Sequence, residues 1–324
     1  MQRISMADIA KEAGVSRPTV SRVLQGDSRI TPETAEKVRR IAAQMGYRRE
    51  AAFDILAQQR KAKEAEHFRY TLAFLHSMTR QSPLMLQGAN AQAERLGYAL
   101  DSFEYDENTN MAALERMIQA RGIKGILLPL ISRNLPVPRF NWTRLAAVAC
   151  SVDYFHPPFH IVRTNVVAKV EIAWKACVEA GFRRIGIALS YDAKPHELDI
   201  RRAGVAMYWL SAQPRHTRIP LWFERFGEPS KLMKWLGKHR PEVVIAGDTA
   251  ILNVLDRYGR DQGERLPRCC LIPSEGCPHL SSQPELIGST ALTLLHQHIV
   301  TNQLGPPDNP FTVVIEPKWV AGEF

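Results

Sequence analysis

From Tyr70 almost to the C-terminus, short apolar runs alternate with amphipathic helical segments, and no other feature constrains the fold as strongly. A strand whose successor lies beyond a helix pairs with it in parallel, because the connection has to return over a face of the sheet. The pattern predicts strands over 70–75, 98–103, 125–128, 145–149, 184–189, 243–246, 269–272 and 312–315. Helices are expected over 84–96, 111–120, 166–180, 198–210, 231–236, 250–258 and 287–300. Ile126-Leu127-Leu128 is apolar at every position up to Pro129, as in a strand covered on both faces. The expected class is α/β, with parallel sheets covered by helices. Sheets of that kind bind ligands in crevices outside the carboxyl ends of their strands.

The N-terminal segment carries a different pattern and most of the excess charge. The 324 residues have a formal net charge of +9, of which +6 falls within residues 1–63. Such a concentration suits either a polyanionic partner or a solvated basic surface. Ser5 and Asp8 form a capping-box pair ahead of Ile9, Ala10 and Ala13, which share one helical face. Gly14 supplies a turn with positive φ. Ser16 caps a second helix, with Pro18 in its first turn and Val20, Val23 and Leu24 as its apolar stripe. Gly26 and Asp27 end it. Thr31 caps a third helix that starts at Pro32, buries Val38, Ile41, Ala42 and Met45, and stops at Gly46. Three short helices, the first two joined by a tight turn, follow the helix-turn-helix plan; a small helical bundle with a basic face is the alternative. Arg17, Pro18, Ser21 and Arg22 lie off the apolar stripe of the second helix, with Ser16 and Thr19 near its N-terminus. A guanidinium fork matches guanine O6 and N7 in the major groove, while hydroxyls and a helix N-terminus suit phosphate oxygens.

The run Met6-Ala7-Asp8-Ile9-Ala10-Lys11-Glu12-Ala13-Gly14-Val15-Ser16-Arg17-Pro18-Thr19-Val20-Ser21-Arg22-Val23-Leu24 closely resembles the headpiece of the lactose/galactose-repressor family (LacI/GalR). Thr31-Pro32-Glu33-Thr34, Lys37-Val38 and Met45-Gly46-Tyr47 are similar as well. The resemblance implies a DNA-binding headpiece over residues 1–49 whose second helix reads the major groove of an operator. Arg17, Pro18 and Arg22 would face bases, and Ser16, Thr19, Ser21 and Arg29 would lie nearer the backbone. It also implies a hinge helix and linker over 50–68, with Leu56 where the family places a leucine that wedges into the minor groove. Two features depart from the family pattern. Arg49-Glu50 replaces its Pro-Asn pair, and Phe53 and Asp54 are unusual. A carboxylate at position 54 would repel phosphates, so a plain linker helix is the competing reading.

Residues 69–324 resemble, less closely, the two-lobed, type I periplasmic-binding-protein-like effector domain of the same family. Glu179-Ala180-Gly181-Phe182-Arg183-Arg184-Ile185-Gly186 is similar to its helix-to-strand junction, and Arg201-Arg202-Ala203-Gly204 to its Arg-x-x-Gly. Ile287-Gly288 and the helix after it fit as well, and Asn165 stands where an Asp is common. Gly247 stands where the family often grips ligand with Asn, and Glu275 where it has Asp. The candidate effector-binding residues are His76, Arg201, Asp248 and Glu275. Three of them have a plainer alternative on the same residue. A structural ion pair would occupy Arg201, a helix N-cap Asp248, and a satisfied loop position His76. Trp222, Phe223 and Phe226 would stack on a sugar face or belong to the core.

Other chemistries find no motif. The chain lacks GxxxxGK[ST], GxGxxG after a strand, GxSxG and HExxH, and no catalytic set can be assembled from spacing, so no enzyme and no cofactor is expected. Cys269, Cys270, Cys277 and His279 cluster, but not at a zinc spacing, and no metal is expected. Five scattered cysteines argue against a disulfide framework and fit a reducing cytoplasm. The first residues hold no apolar secretory core, and no apolar run reaches the ~18–20 residues of a membrane span.

Three functions compete. The first is a homodimeric regulator, most often a repressor in the family, that binds a pseudo-palindromic double-stranded DNA operator and answers to a small-molecule effector such as a carbohydrate. The second is a DNA-binding repressor without a ligand response. The third is a small-molecule binding protein whose DNA function has decayed.

Overall fold

The computed structural model describes residues 6–24, 30–45, 70–76, 82–128, 138, 140–151, 158–191, 194–225 and 227–324. Two compact units are present, Met1–Tyr70 with Val300–Asn302 and Thr71–Ile299 with Gln303–Phe324.

The first unit contains α1 (Met6–Ala13), α2 (Arg17–Leu24) and α3 (Pro32–Gln44). Ile9, Ala10 and Ala13 of α1 meet Val20 and Val23 of α2 and Val38, Ile41 and Ala42 of α3 in one small core. Leu24 and Met45 pack at its margin, half-buried where the sequence pattern placed them inside. Gly14 has φ +66°. That conformation lets the Val15 N–H reach back to the Ala10 carbonyl at 3.0 Å and turns the chain between the helices. The Ser16 hydroxyl accepts from the Thr19 N–H at 3.3 Å and contacts the Thr19 hydroxyl at 2.8 Å, as a cap on α2 should. Thr31 holds the N-cap position of α3 with Pro32 following, but its hydroxyl donates to that of Thr34 at 2.9 Å and takes no backbone N–H. The expected side-chain cap is therefore replaced by a hydroxyl pair. Ser5, Gly26, Asp27 and Gly46 lie outside the described residues.

The second unit has two six-stranded sheets. One contains β1 (Thr71–His76), β2 (Ala99–Glu104), β3 (Gly125–Leu128), β4 (Ala146–Cys150), β5 (His160–Thr164) and β11 (Thr312–Ile315). Its order is β2-β1-β3-β4-β5-β11, parallel throughout. The other contains β6 (Ile185–Tyr191), β7 (Trp222–Arg225), β8 (Val243–Ala246), β9 (Arg268–Cys270), β10 (His279–Ser281) and β12 (Lys318–Val320). Its order is β7-β6-β8-β9-β10-β12, and only β12 is antiparallel to its neighbour.

Helices cover both faces of each sheet. On the first, α4 (Ser82–Arg95) and α10 (Pro284–Val300) close one core, while α5 (Met111–Ala120) closes the other with Phe140, Trp142 and Phe159. On the second, α6 (Val166–Glu179) and α7 (Glu197–Ala212) cover one face, and α8 (Pro229–His239) and α9 (Thr249–Gln262) the other. β3, β4 and β8 are buried along their whole length, as strands between two helical layers must be. The chain passes between the lobes at Asn165, at 282–283 and at 316–317.

Four strands escaped the sequence pattern: β5, β7, β10 and β12. β7 and β12 are edge strands of three or four residues, each held by one neighbour, so neither needs a long apolar run. β5 and β10 lie where the chain leaves one lobe for the other, and there strand no longer alternates regularly with helix. β12 also breaks the expectation of purely parallel sheets.

Candidate functional site

Side chains off the apolar stripe of α2 form the first candidate surface. Ser16, Arg17, Pro18 and Arg22 are exposed, and Thr19 and Ser21 half-buried. Arg17 and Ser21 are one helical turn apart, as are Pro18 and Arg22, so all four share one face. Among the described residues neither arginine makes an ion pair. The core of the first unit fixes the backbone beneath them, and the Ser16 cap fixes where α2 begins. Two guanidinium forks and three hydroxyls on a short helix suit a polyanion groove. Arg29 and Leu56, with the whole of 50–68, fall outside the described residues.

In the second unit the other candidates lie at strand ends (His76 and Asp248), on a helix (Arg201) and in a loop (Glu275). His76 ends β1; its Nε2 lies 2.8 Å from the Ser102 hydroxyl and its ring 5.8 Å from that of Phe74. Its Nδ1 is buried without a hydrogen-bond partner among the described residues. Asp248 follows β8 and caps α9, accepting the Ile251 N–H at 3.0 Å, while Ser190 at the end of β6 donates to its other oxygen. Arg201, on the first turns of α7, pairs with Glu197 one turn back, and both side chains are half exposed. Glu275 is exposed in the loop between β9 and β10. The structure thus brings Asp248 together with Ser190 and Arg201 with Glu197, and gives no direct contact among the four candidates themselves.

Gly247 explains its own departure from the family pattern. A Cβ there would meet the Leu189 side chain at 2.9 Å and the Ala188 carbonyl at 3.2 Å, so the site has no room for a gripping Asn. Trp222 is buried in the core beneath α8 and α9, and Phe223 packs edge-on against Tyr191 at 5.0 Å. Phe226 is not among the described residues. A cavity of about 260 Å3 opens beside Ser190, lined by Trp222, Leu232, Ile251 and Val254.

Two polar groups, Ser190 and Lys169, carried no sequence signal. Ser190 is visible only once β6 and β8 are paired. Lys169, in the first turn of α6, is buried, and its Nζ donates to the Leu271 carbonyl at 2.9 Å and the Ser282 hydroxyl at 2.6 Å. Burial, with Arg202 nearby, pulls its pKa down from 10.5 to about 7. Asn165 caps α6 through the Ala168 N–H at 3.1 Å and donates to Glu316 at 2.9 Å; Gln283 donates to the Glu316 carbonyl at 2.7 Å. One side-chain network thereby ties all three passages between the lobes. An Asp at this position could cap but could not donate.

A model of the lacI family of bacterial regulatory proteins matches residues 5–50. Catabolite control protein A of Staphylococcus xylosus is 40% identical over 57 residues, 18% of this chain. The match spans only 17% of the length of that curated relative. Among solved structures, the complex of the transcriptional regulator CelR with cellobiose has a TM-score of 0.58 at 19% identity, covering 99% of both chains. The lac repressor dimer bound to operator and the anti-inducer ONPF has a TM-score of 0.55 at 15% identity, again over 99% of both. At such identities the likeness is one of fold, and it extends over the whole chain. The lacI-family match thus rests on residues 5–50, and the rest of the chain shares the two-lobed fold of these solved regulators.

Proposed function

We propose that the protein is a transcription regulator of the repressor type that binds a pseudo-palindromic DNA operator as a homodimer. Residues 1–49 serve as headpiece, 50–68 as hinge and linker, and 69–324 as the effector domain. The observation that carries this is the exposed face of α2, where Arg17 and Arg22 stand over a core that matches the lacI-family model. In a dimer the two copies of α2 would meet successive half-sites. Arg29 and the Leu56 wedge complete the DNA contacts of this reading. The relative of the same fold solved on its operator supports it.

The effector is a small polar molecule of the carbohydrate class, held in the crevice by His76, Arg201, Asp248 and Glu275. CelR, of the same fold, was solved with cellobiose. The regulator has no enzymatic step and works in the cytoplasm; no helix among the described residues is long and apolar enough to cross a membrane.

The test is selection of genomic fragments by the full chain at fixed physiological salt, with Arg17→Ala/Arg22→Ala as control. A short pseudo-palindrome lost in the double variant is the expected result. Enrichment without a motif, equal in both proteins, overturns the reading.

The second reading, a repressor without ligand response, draws on one observation. Asp248 and Arg201 already have internal partners, the α9 N-cap with Ser190 and Glu197 respectively. Calorimetry of the DNA-competent protein against a sugar and nucleoside panel separates the two, and silence across the panel favours the second.

A further inference from the structure

Cys270 closes β9, and Cys277 stands seven residues on, ahead of β10. Both are buried thiols, and their Sγ atoms lie 3.1 Å apart, about 1 Å beyond the ~2.05 Å of a disulfide bond. Backbone contacts hold them there independently of the sulfurs. The Cys270 N–H donates to the Pro278 carbonyl at 2.9 Å, Arg265 donates to the Gly276 carbonyl, and Gly276 turns the loop at φ +69°. The neighbouring thiols are sorted away by the pleat. Cys269 points to the opposite face of the sheet, into the α6–α7 core with Cys177, whereas Cys270 and Cys277 share the α8–α9 core. A metal would need further ligands, and no group of three ligating side chains exists among the described residues. The His279 ring is turned to the Cys277 carbonyl at 3.2 Å.

We propose that Cys270 and Cys277 form a reversible intrachain disulfide on exposure to peroxide, locking the loop 271–276 that carries Glu275. Cys277, 4% exposed against 0% for Cys270, is the sulfur a small oxidant reaches first. Cys277 releases its proton to water and its thiolate attacks one peroxide oxygen; the O–O bond breaks, Cys277 becomes a sulfenic acid and hydroxide leaves, and the released proton later neutralises the second hydroxide. Cys270 gives its proton to that hydroxide and attacks the sulfenic sulfur, so that the S–S bond forms, the S–O bond breaks and hydroxide departs to be protonated as water. Two thiols and one hydrogen peroxide thus yield one disulfide and two waters. Burial pushes the Cys270 thiol well above its ordinary pKa, which makes the second step slower than at an exposed pair. A low-molecular-weight thiol reverses the reaction by exchange.

The inference stands whether or not the chain binds DNA. The full chain is treated with hydrogen peroxide, then unfolded for thiol titration, and digested with a protease that cuts after Glu275. Loss of two of the five thiols, with the fragments on either side of Glu275 joined until reductant is added, is the expected result. Cys277→Ala and Cys270→Ala should each lose none reversibly, and Cys150→Ala should still lose two. Retention of all five thiols in the folded wild type overturns the proposal, as does a reductant-sensitive link that survives in Cys277→Ala. The wild-type digest decides even if a core variant fails to fold.

Discussion

Arg22 lies on the exposed face of α2, one turn after Pro18, and its backbone is held by Val20 and Val23 on the buried side. If it reads a base, Arg22→Ala should cost about 1–3 kcal/mol of operator affinity and relax preference at one base pair only. Titration against operators substituted at each position checks this; a uniform loss would reassign Arg22 to a phosphate. Lys169 makes a prediction of opposite character, about stability. Its folded pKa is held down to about 7, whereas the unfolded chain keeps it near 10.5. Between those values the unfolded state binds the extra proton, so stability should rise as pH climbs from about 7 to 10.5. Lys169→Met should remove that rise in urea melts read across the range, and a slope unchanged in the variant would exclude the amine as its source. The two residues also differ in how far the sequence announces them. Arg22 is exposed because its neighbours on the stripe are apolar, a local rule. Lys169 looks like any helix lysine until Leu271 and Ser282, more than a hundred positions away, close over it.

Helix α10 crosses α4 at a distance that only glycine permits. A Cβ on Gly88 would sit 1.9 Å from the Glu285 carbonyl oxygen, and one on Gly288 would sit 2.0 Å from that of Met85. Backbone cannot yield as a side chain can, so Gly88→Ala and Gly288→Ala should each destabilise by about 3 kcal/mol, the upper end of overpacking costs. Gly204, exposed in the interior of α7, meets nothing within 4 Å, and Gly204→Ala should stabilise by about 0.5–1 kcal/mol through helix propensity. Denaturant midpoints measured side by side test the contrast; equal effects would mean that propensity, not the crossing, governs these sites. At this level the sequence spoke through local signals. Met111–Ala120, Gly125–Leu128, Val243–Ala246 and Thr312–Ile315 match their predicted bounds because capping residues, turns and apolar runs define them without help from afar. β7, β10 and β12 exist because a neighbouring strand offers a ladder to three or four residues, and their own composition does not announce it. The candidate site shares this limit: Ser190 and Asp248 are adjacent only through the β6–β8 pairing.

The two lobes are tied to one another at Asn165, Gln283 and Glu316, where side chains link all three passages. On the regulator reading, a change in how the lobes close would act on this small network, which makes it the place to perturb a ligand response without touching ligand or DNA. Asn165→Asp keeps the α6 cap but sets a second carboxylate against Glu316, where the native donor stood at 2.9 Å. The variant should lose only about 0.5–1 kcal/mol of stability, because the contact is exposed and water rehydrates both carboxylates. Glu316→Gln in the same chain should restore part of it, because the amide can donate to the introduced carboxylate. On the regulator reading, the factor by which effector changes operator affinity must equal the factor by which operator changes effector affinity, since both report one coupling free energy. Asn165→Asp should alter that shared factor in both directions alike while leaving half-site preference, which belongs to α2, unchanged. Calorimetry of effector with and without operator, set beside operator titrations with and without effector, closes the cycle. A variant that shifts base preference would place Asn165 outside the coupling, and one that leaves both coupling factors at wild type while losing stability would reduce the network to a structural tie.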